Sequence, residues 1–489
     1  MALTSGAKFL LHKSKSSVSS ARPKGHLLRI VGVGFGIAVI VGNTVGSGIL
    51  RTPGEIAARL QSASLVIAVW VVGGLYAFFC TLSVTELGTM LPRAGGWYVY
   101  SRRAFGEYGG FLVGGCDWTV NAASLAYLAI AFAEFAAELQ PALRGNVKLV
   151  AVACLAFLTL LNWLGLRTGS RTQELTSLIK ALALLAFVVA CFTISPSDAL
   201  AAPSGPPTFL APRGSLLLAI VLALQPILIT YDGWYGAIYF VEEDKDPVRN
   251  LPRSSIGGVV ACIAIFLLVN AALLHVLPMT RLAASQMPAA DAALAVFGAH
   301  GKQIILIVSL IAAVSTINAI LLLMPRILFA MSRDGLLPPA LASVNRGGTP
   351  SWALLLGALA GVALILSGSF EKLVAIASFL FVVVYLSGFC ALFSLRIREP
   401  NLPRPFKLWG YPWTNLGVLL ASAAFLVATI VSDLKDALFT MILIALSYPI
   451  YFFLIKGVPV PASEAVAVPP ECSSKRAPSA KQHIEPNGP

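Results

Sequence analysis

Two long apolar stretches of this chain are each interrupted by residues that a continuous membrane helix would not choose. No charged residue occurs between positions 29 and 51, or between positions 213 and 232, and about 20 apolar residues are enough to cross a bilayer core as a helix. Within these stretches, residues 46–48 read Gly-Ser-Gly and residues 231–233 read Tyr-Asp-Gly. Hydrocarbon offers no partners to unpaired backbone groups, so a helix broken at that depth must line a cavity or bind a ligand. The two breaks are therefore the predicted binding site.

The composition places the chain in a lipid environment. Hydrophobic residues make up 57% of the sequence and charged residues only 12%, and the mean hydropathy is +0.82. Because so few polar residues cannot cover a water-soluble surface, we predict an all-α polytopic membrane protein with twelve spans. The predicted spans cover residues 30–58, 63–91, 110–137, 147–166, 173–195, 214–240, 255–278, 302–330, 352–368, 371–395, 413–432 and 436–456.

The positive charges are distributed over alternate loops, although the net charge of +13 alone would also suit a nucleic-acid-binding protein. They form neither one face nor one run, so no nucleic acid is expected as a partner. The positive-inside rule predicts that both termini are cytoplasmic, in the plasma membrane or, if the chain is bacterial, in the inner membrane. The residues that carry this pattern are Lys8, Lys13, Lys15, Arg22, Lys24, Arg29, Arg93, Arg102, Arg103, Arg167, Arg171, Arg249, Arg253, Arg333, Arg346, Arg396, Arg398, Arg404 and Lys407.

The two breaks present helix ends of opposite polarity to the same depth. The first span runs outward, so a helix that starts after residues 46–48 points unpaired N–H groups and a positive dipole at the membrane centre, which suits a carboxylate. The hydroxyl of Ser47 adds a further donor. The sixth span runs inward, so the helix that ends near Thr230 and Tyr231 presents carbonyl groups that suit a cation. The two ends are together complementary to a zwitterion, and the commonest zwitterion of that size is an α-amino acid.

Interrupted spans at corresponding places in two halves of a chain also indicate an inverted-repeat secondary transporter. The alternative is a close helix-packing face, because Gly32 and Gly36, or Gly42 and Gly46, have the small-residue spacing that lets helices approach. Packing alone explains one break. It gives no reason for Asp232 in the second, so a binding site is the favoured interpretation.

Several strings of residues resemble the amino acid, polyamine and organocation (APC) transporter superfamily, and most closely its L-amino acid transporter (LAT)-like branch. The resemblance implies ten helices in two inverted five-helix repeats (LeuT-like), with spans one and six discontinuous, two peripheral helices and alternating access. The chain is thereby divided into a cytoplasmic tail (1–29), a transport core (30–396) and a loop with spans eleven and twelve (397–456). Residues 457–489 are expected to form a disordered cytoplasmic tail, because they are rich in Pro, Ser, Ala and charge and lack an apolar period. The strings are Gly46-Ser47-Gly48-Ile49, Thr52-Pro53, Tyr231-Asp232-Gly233-Trp234, Glu242-Glu243, Asp246-Pro247, Arg249-Asn250-Leu251-Pro252-Arg253 and Arg404-Pro405-Phe406-Lys407.

Carried over residue by residue, the resemblance assigns the substrate carboxylate to residues 46–48 and the substrate amino group to carbonyls near Thr44, Ile229 and Asp232. Ile229 is a departure, because family members usually carry an aromatic gate at that position. The candidate substrate-binding residues are Thr44, Val45, Gly46, Ser47, Gly48, Ile229, Thr230, Tyr231, Asp232, Gly233 and Trp234.

Lys180 lies about 12 Å from the cytoplasmic start of the fifth span, at 1.5 Å per residue. A charge at that depth is usually functional, although its long stem can also reach the interface. The resemblance implies that its ammonium replaces the sodium ion of related transporters by bonding carbonyls of span one and hydroxyls of span eight, with Ser315 and Thr316 as partners. Transport is then sodium-independent, by proton symport or by amino acid exchange. No cofactor is expected, and the proton is the only candidate coupling ion.

Three interpretations of Asp232 stay open: a helix breaker, a ligand for the substrate amine, or a selector for cationic amino acids and polyamines. Glu86 and Asp117 lie near cytoplasmic ends of spans and are expected to pair with loop arginines. Trp234 and Tyr235 follow the break and either cap the cavity or pack between helices.

Other classes of protein fit the sequence less well. The five histidines form no H-E-x-x-H pair and no Walker loop is present, so the chain is not expected to be an enzyme. A non-transporting amino acid sensor on the same fold remains an alternative. Residues 138–147 contain no cysteine, whereas heavy-chain-linked family members carry one in that loop, so no disulfide-linked partner is expected. Six of the seven cysteines lie in predicted spans and are interpreted as small core residues.

Overall fold

The computed structural model describes residues 26–194, 216–367, 370–432 and 434–454, without the side chains of residues 370–378 and four later positions. The predicted tail 457–489 and most of the predicted tail 1–29 lie outside these residues. Fifteen α-helices and four short 3₁₀ segments make up the described fold, which contains no strand longer than an isolated bridge. The helices are α1 (Val33–Thr44), α2 (Gly48–Leu60), α3 (Ala63–Met90), α4 (Trp97–Leu139), α5 (Val147–Trp163), α6 (Leu166–Thr193), α7 (Leu216–Thr230), α8 (Pro247–Val276), α9 (Met279–Ala284), α10 (Pro288–Phe297), α11 (Gly301–Arg333), α12 (Ser351–Ser367), α13 (Phe370–Arg398), α14 (Trp413–Ser432) and α15 (Leu434–Leu454).

The helices are long and apolar enough for a protein that crosses the membrane many times. In the described part of the chain, eight helical segments meet the length and composition of a span, and α1 with α2 makes a ninth if the bent pair is counted as one. Three shorter apolar helical segments accompany them, namely α7, α12 and Thr440–Phe453 within α15. The predicted all-α polytopic membrane protein is confirmed at this level.

The third predicted span is preceded by a helical segment that was not predicted. Residues 110–137 were expected to form the span. α4 extends from Trp97 to Leu139 but contains a non-helical residue at Gly106, where φ is +84° and ψ is −173°, so the helix that includes the predicted span starts after Gly106. The segment before Gly106 carries Arg102 and Arg103 beside buried aromatic side chains. The prediction relied on an uninterrupted apolar length, and a short amphipathic helix packed against the bundle does not give that signal.

Loops that the charge pattern assigned to one side do meet at one end of the bundle. Arg93 donates to Asp334 at 2.8 Å, and Arg103 contacts Glu399 at 2.7 Å. At the opposite end, Lys302 contacts Glu138 at 2.9 Å and Lys148 donates to the carbonyl of Leu366 at 3.1 Å. We call the first end, which carries Arg93, Arg103 and Asp334, the arginine-rich end.

Glu86 pairs with arginines as expected. Its carboxylate, on α3, receives two hydrogen bonds from Arg396 at 2.8 and 2.6 Å and one from the backbone N–H of Leu408 at 2.7 Å. Arg404 lies 3.6 Å away. The carboxylate is fully buried, so these donors tie the arginine-rich end of α3 to that of α13 and to the following loop.

The cysteines are mostly the small core residues that were expected. Cys80, Cys116, Cys191 and Cys262 are buried free thiols, and Cys154 is half-buried. Cys390 is exposed, so the core interpretation is wrong for that residue, and Cys472 lies outside the described residues. An apolar helix face that meets lipid accepts the same small side chains as a helix interface, and composition does not distinguish the two.

Candidate substrate-binding site

The first break is a real interruption of the helix. α1 ends at Thr44, α2 begins at Gly48, and the axes of the two helices differ by 47°. Ser47 occupies the position before α2 without capping it through its side chain. Within the described residues, the N–H groups of Ser47, Gly48 and Ile49 have no hydrogen-bond acceptor, which is the usual state of a first helical turn. The donors needed for an anion are present at the position predicted from the sequence.

The second break shows the expected helix end. α7 stops at Thr230, residues 231–235 form a turn, and a 3₁₀ segment continues from Gly236 to Glu243. The carbonyls of Thr230 and Tyr231 accept no backbone hydrogen bond from the described residues. Gly233 has φ of +108°, a left-handed conformation that side chains rarely adopt, so a glycine is required at the turn.

The two breaks lie against each other. The hydroxyls of Thr52 on α2 and Thr230 on α7 are 3.0 Å apart. A Cβ atom added at Gly233 would lie 2.7 Å from the carbonyl carbon of Asn43 and 2.8 Å from the nitrogen of Thr44. The end of α1, the start of α2 and the end of α7 therefore meet at one point, with opposite helix polarities side by side.

The residues at this meeting point reach accessible space. Gly46, Ser47, Gly48 and Asp232 are each partly exposed, whereas neighbours such as Val45 are fully buried. A Cβ atom added at Gly46 would find nothing closer than the Thr316 hydroxyl at 4.0 Å. A helix break inside a bundle stays accessible only where it lines a cavity, as membrane proteins require of irregular backbone at that depth.

Two carbonyls assigned to the substrate amine already accept one hydrogen bond each. The N–H of Gly46 donates to the carbonyl of Thr44 at 2.9 Å, and the N–H of Asp232 donates to that of Ile229 at 3.1 Å. Each carbonyl oxygen keeps a second lone pair for a ligand. The side chain of Ile229, which replaces the family's usual aromatic gate, is 53% exposed. The assignment of these two carbonyls to the substrate stays a prediction.

An aromatic cluster packs around the residues that directly follow the second break. The ring of Trp234 lies 5.9 Å from that of Trp97 and 5.3 Å from that of Tyr385, and Tyr235 packs against all three. The hydroxyl of Tyr385, on α13, donates a hydrogen bond to the carboxylate of Asp232. Trp234 is only 2% exposed, so it packs between helices. Tyr385 and Trp97 were not among the predicted residues, because nothing in their local sequences distinguishes them from other membrane aromatics.

The expectation that Asp117 pairs with a loop arginine is wrong. Its carboxylate receives the Tyr239 hydroxyl at 2.9 and 2.8 Å and the Asn121 side-chain amide at 3.0 Å. Tyr239 belongs to the 3₁₀ segment that follows the second break. Asp117 lies in the membrane part of α4 and is buried inside the bundle. There its carboxylate contacts the Tyr239 hydroxyl and no described arginine.

Lys180 bonds the first span as predicted. Its ammonium donates to the carbonyl of Gly42 at 2.9 Å, and the hydroxyl of Thr316 donates to the same carbonyl at 3.0 Å. Ser315 behaves differently from the prediction, since its hydroxyl lies 3.2 Å from that of Ser177 and not within bonding distance of the ammonium. Lys180 therefore does not bond the hydroxyls of α11 directly as expected. Instead, Lys180 and the Thr316 hydroxyl of α11 both donate to the carbonyl of Gly42 near the end of α1.

Acidic residues after the second break pair with arginines of α11. Glu242 contacts Arg333 at 2.7 Å and accepts the N–H of Ala94 at 2.9 Å. Glu243 accepts two hydrogen bonds from Arg326 at 3.2 and 3.0 Å, and neither side chain is exposed. These pairs join the 3₁₀ segment to α11, so the two breaks are separated from the arginine-rich end by a layer of aromatic and paired charged side chains.

Comparison with known proteins agrees with this arrangement. Residues 36–453 match the model of a family described as amino acid permease. The chain is 27% identical to the serine/threonine exchanger SteT of Bacillus subtilis, over 88% of this chain and 98% of the exchanger. It is 29% identical to the mouse b(0,+)-type amino acid transporter 1, over 90% of each chain. It is 28% identical to the rabbit large neutral amino acids transporter small subunit 2, over 78% of this chain and 72% of the relative.

The family match covers all fifteen helices except the first residues of α1 and the last residue of α15. It includes both helix breaks, Lys180 and the pairs at the arginine-rich end. The chain therefore belongs to the amino acid permease family of the APC superfamily, and it is an integral membrane transporter of amino acids rather than an enzyme.

Proposed function

We propose that the protein exchanges amino acids across the membrane by alternating access, without sodium. The observation that carries this proposal is the meeting of the two breaks, where free N–H groups of α2 and free carbonyls of α7 border one accessible space. That arrangement suits the carboxylate and amino groups that all α-amino acids share. Exchange is favoured over symport because the relative covered over 98% of its length is a serine/threonine exchanger.

The proposed architecture has twelve spans, ten of them in two inverted five-helix repeats. Nine long spans, with α1 and α2 counted as one, and three shorter apolar segments support the number twelve. The breaks in spans one and six, at corresponding positions of the two halves, support the repeat. Both termini are proposed to be cytoplasmic in a plasma membrane or bacterial inner membrane, because arginines from several loops gather at the arginine-rich end.

Lys180 is proposed to replace a coupling sodium ion. Its ammonium donates to the carbonyl of Gly42 near the end of α1, and the carbonyl end of a helix attracts a cation. The proposed cycle uses no cofactor, and a proton is the only coupling ion that we retain. A disulfide-linked heavy chain is not part of the proposal, since the loop between α4 and α5 contains no cysteine.

Counterflow in proteoliposomes tests the proposed exchange. Vesicles loaded with unlabelled serine are expected to accumulate labelled serine transiently, equally with sodium or choline outside, while empty vesicles accumulate none. Saturable binding without flux would instead identify a sensor. If an imposed pH gradient drives uphill uptake into empty vesicles, the protein is a proton symporter and the proposed exchange is wrong.

The role of Lys180 can be measured with a double-mutant cycle. Lys180→Met is expected to slow counterflow roughly 10- to 100-fold, because a hydrogen bond from a charged donor contributes about 1.5–3 kcal/mol. Thr316→Val removes the neutral donor on the same carbonyl and is expected to cost less, about 2- to 10-fold. Because Lys180 and Thr316 share the carbonyl of Gly42, their effects should not add. Strictly additive effects, or a wild-type rate for Lys180→Met, would contradict the proposed coupling site.

Cationic amino acids are a second candidate substrate class. Asp232 is partly exposed at the breaks, and within the described residues its carboxylate meets the Tyr385 hydroxyl and no basic side chain. A carboxylate in a membrane cavity without a basic partner favours a cationic ligand.

Asp232→Asn is therefore expected to weaken competition by arginine and lysine at least about tenfold while leaving serine unchanged, since a hydrogen bond to a charged group contributes about 1.5–3 kcal/mol. Competition against labelled serine in the counterflow assay measures both affinities. Tyr385→Phe is the matched control, because it removes the bond and keeps the carboxylate. Equal losses for serine and arginine would show that Asp232 only shapes the helix break.

A further inference from the structure

An apolar groove lies between α5 and α12, on the outside of the bundle. It has a volume of about 270 Å³ and is lined by Leu155, Leu160 and Trp163 of α5 and by Leu355, Leu359 and Val362 of α12. Apolar cavities of about 150 Å³ already bind a benzene-sized molecule. The groove is therefore large enough for a segment of hydrocarbon chain.

The groove opens away from the protein. Leu160 is 59% exposed, Leu359 is 56% exposed and Trp163 is 38% exposed, although all three line it. The groove residues belong to the last turns of α5 and to the second and third turns of α12. Since α5 ends and α12 begins at the arginine-rich end, the groove occupies the half of the membrane next to that end.

The loop before α12 is hydrogen-bonded to the junction of α5 and α6 at this position. The side chain of Asn345 donates to the carbonyl of Trp163 at 2.7 Å, and the N–H of Leu166 donates to the carbonyl of Gly347 at 2.9 Å. Arg167 follows Leu166 and Arg346 precedes Gly347 in the chain, so each arginine is adjacent to one partner of this backbone hydrogen bond. The backbone thus holds two arginines within a few residues of Trp163, which lies at the mouth of the groove.

Neither arginine has a partner in the described protein. Arg167 and Arg346 are exposed and form no ion pair with any described carboxylate, and the same is true of Arg171, one turn along α6. Other arginines at this end, such as Arg93, Arg102, Arg333 and Arg396, are neutralised by acidic side chains. Arg167 and Arg346 thus place two positive charges without a described counter-ion where the apolar groove reaches the membrane surface.

We propose that the groove between α5 and α12 binds an anionic glycerophospholipid, with an acyl chain in the groove and the phosphate on Arg167 and Arg346. A guanidinium binds a phosphate through paired hydrogen bonds, and a tryptophan at that depth suits the boundary between acyl chain and headgroup. An acyl chain alone, or a sterol, would use the groove but leave the arginines without a partner. The charge next to the groove therefore selects a phospholipid with a negative headgroup.

The proposal is tested with the full-length protein, purified in a neutral detergent and mixed with equal amounts of phosphatidylglycerol and phosphatidylcholine. Native mass spectrometry counts the lipids retained. The wild type is expected to prefer phosphatidylglycerol, and the Arg167→Ala, Arg346→Ala double variant to retain roughly 30-fold less of it, because each arginine near a membrane surface contributes about a factor of five. Arg253→Ala is the control, as Arg253 is also exposed and outside the described ion pairs.

The groove is tested independently with Ala156→Trp, which fills it from its exposed side. This variant is expected to lose both phospholipids while its melting temperature without lipid stays at the wild-type value. Unchanged retention of phosphatidylglycerol in the double arginine variant or in Ala156→Trp would overturn the proposal. In a separate mixture with cholesterol, retention that Ala156→Trp abolishes and the double arginine variant leaves intact would assign the groove to a sterol and also overturn the proposal. Lipid retention does not depend on transport, so a failure here leaves the proposed exchange untouched.

Discussion

Gly46→Leu is expected to reduce amino acid counterflow to background, a loss of more than about 100-fold, while the protein still folds. The added side chain projects into the accessible space at the first break, where only the Thr316 hydroxyl lies as near as 4.0 Å. Gly46 does not have a positive φ angle, so a larger residue introduces no backbone strain. The substrate carboxylate would meet four carbon atoms in place of free N–H groups, and an unpaired buried carboxylate is strongly disfavoured. Initial rates in proteoliposomes, at equal amounts of monodisperse protein, measure the effect.

Gly34→Leu is the matched control for this prediction. Gly34 lies on the same helix α1, is exposed, and has no atom within 4 Å of an added Cβ. The same substitution there is expected to leave counterflow within about a factor of two of wild type, as for exposed sites away from functional contacts. If both variants lose transport, Gly46 acts through the flexibility of α1; if neither does, the carboxylate is held elsewhere.

Arg326→Met is expected to destabilise the protein by about 3–5 kcal/mol, because it leaves the carboxylate of Glu243 buried without its cation. Both side chains are fully buried, and Arg326 also donates to the carbonyl of Leu322 at 2.6 Å. Methionine keeps most of the volume, so the cost reports the charge and not a cavity. A lower midpoint of unfolding in detergent, followed by denaturant titration, measures the loss.

Two further variants separate charge from packing at this pair. Arg326→Met combined with Glu243→Gln removes both charges and is expected to recover most of the lost stability, since exchanging a buried pair for neutral side chains is often close to neutral. Arg103→Met breaks the exposed pair with Glu399 and should cost less than about 1 kcal/mol. A single Arg326→Met variant as stable as wild type would show that the pair does not hold the 3₁₀ segment on α11.

Local sequence was enough to predict both breaks and Lys180. A glycine pair or an acid inside an apolar stretch is a local signal, and so is a lysine a few turns inside a span. Arg326 gave the same kind of signal inside the eighth predicted span, and an arginine in hydrocarbon indicates a buried partner. It was not used, so the pair with Glu243 was not predicted.

Residues that act through distant partners were not predictable in this way. Tyr385 donates to Asp232 across 153 positions of sequence, and Tyr239 donates to Asp117 across 122. Nothing near Tyr385 or Asp117 in the sequence distinguishes these pairings from many others. The partner of Asp117 was wrong for this reason, and the groove between α5 and α12 could not be anticipated at all.

The order of apolar and polar residues by itself determined the membrane environment, the places where two helices stop and the polarity of their ends, since each depends on a few neighbouring residues. The family resemblance could also be recognised from the sequence. Only the tertiary structure decided that the two breaks touch, that Lys180 and Thr316 share one carbonyl, and that Arg167 and Arg346 border an apolar groove. These are contacts between segments far apart along the chain, and they form only when helix packing brings the segments together.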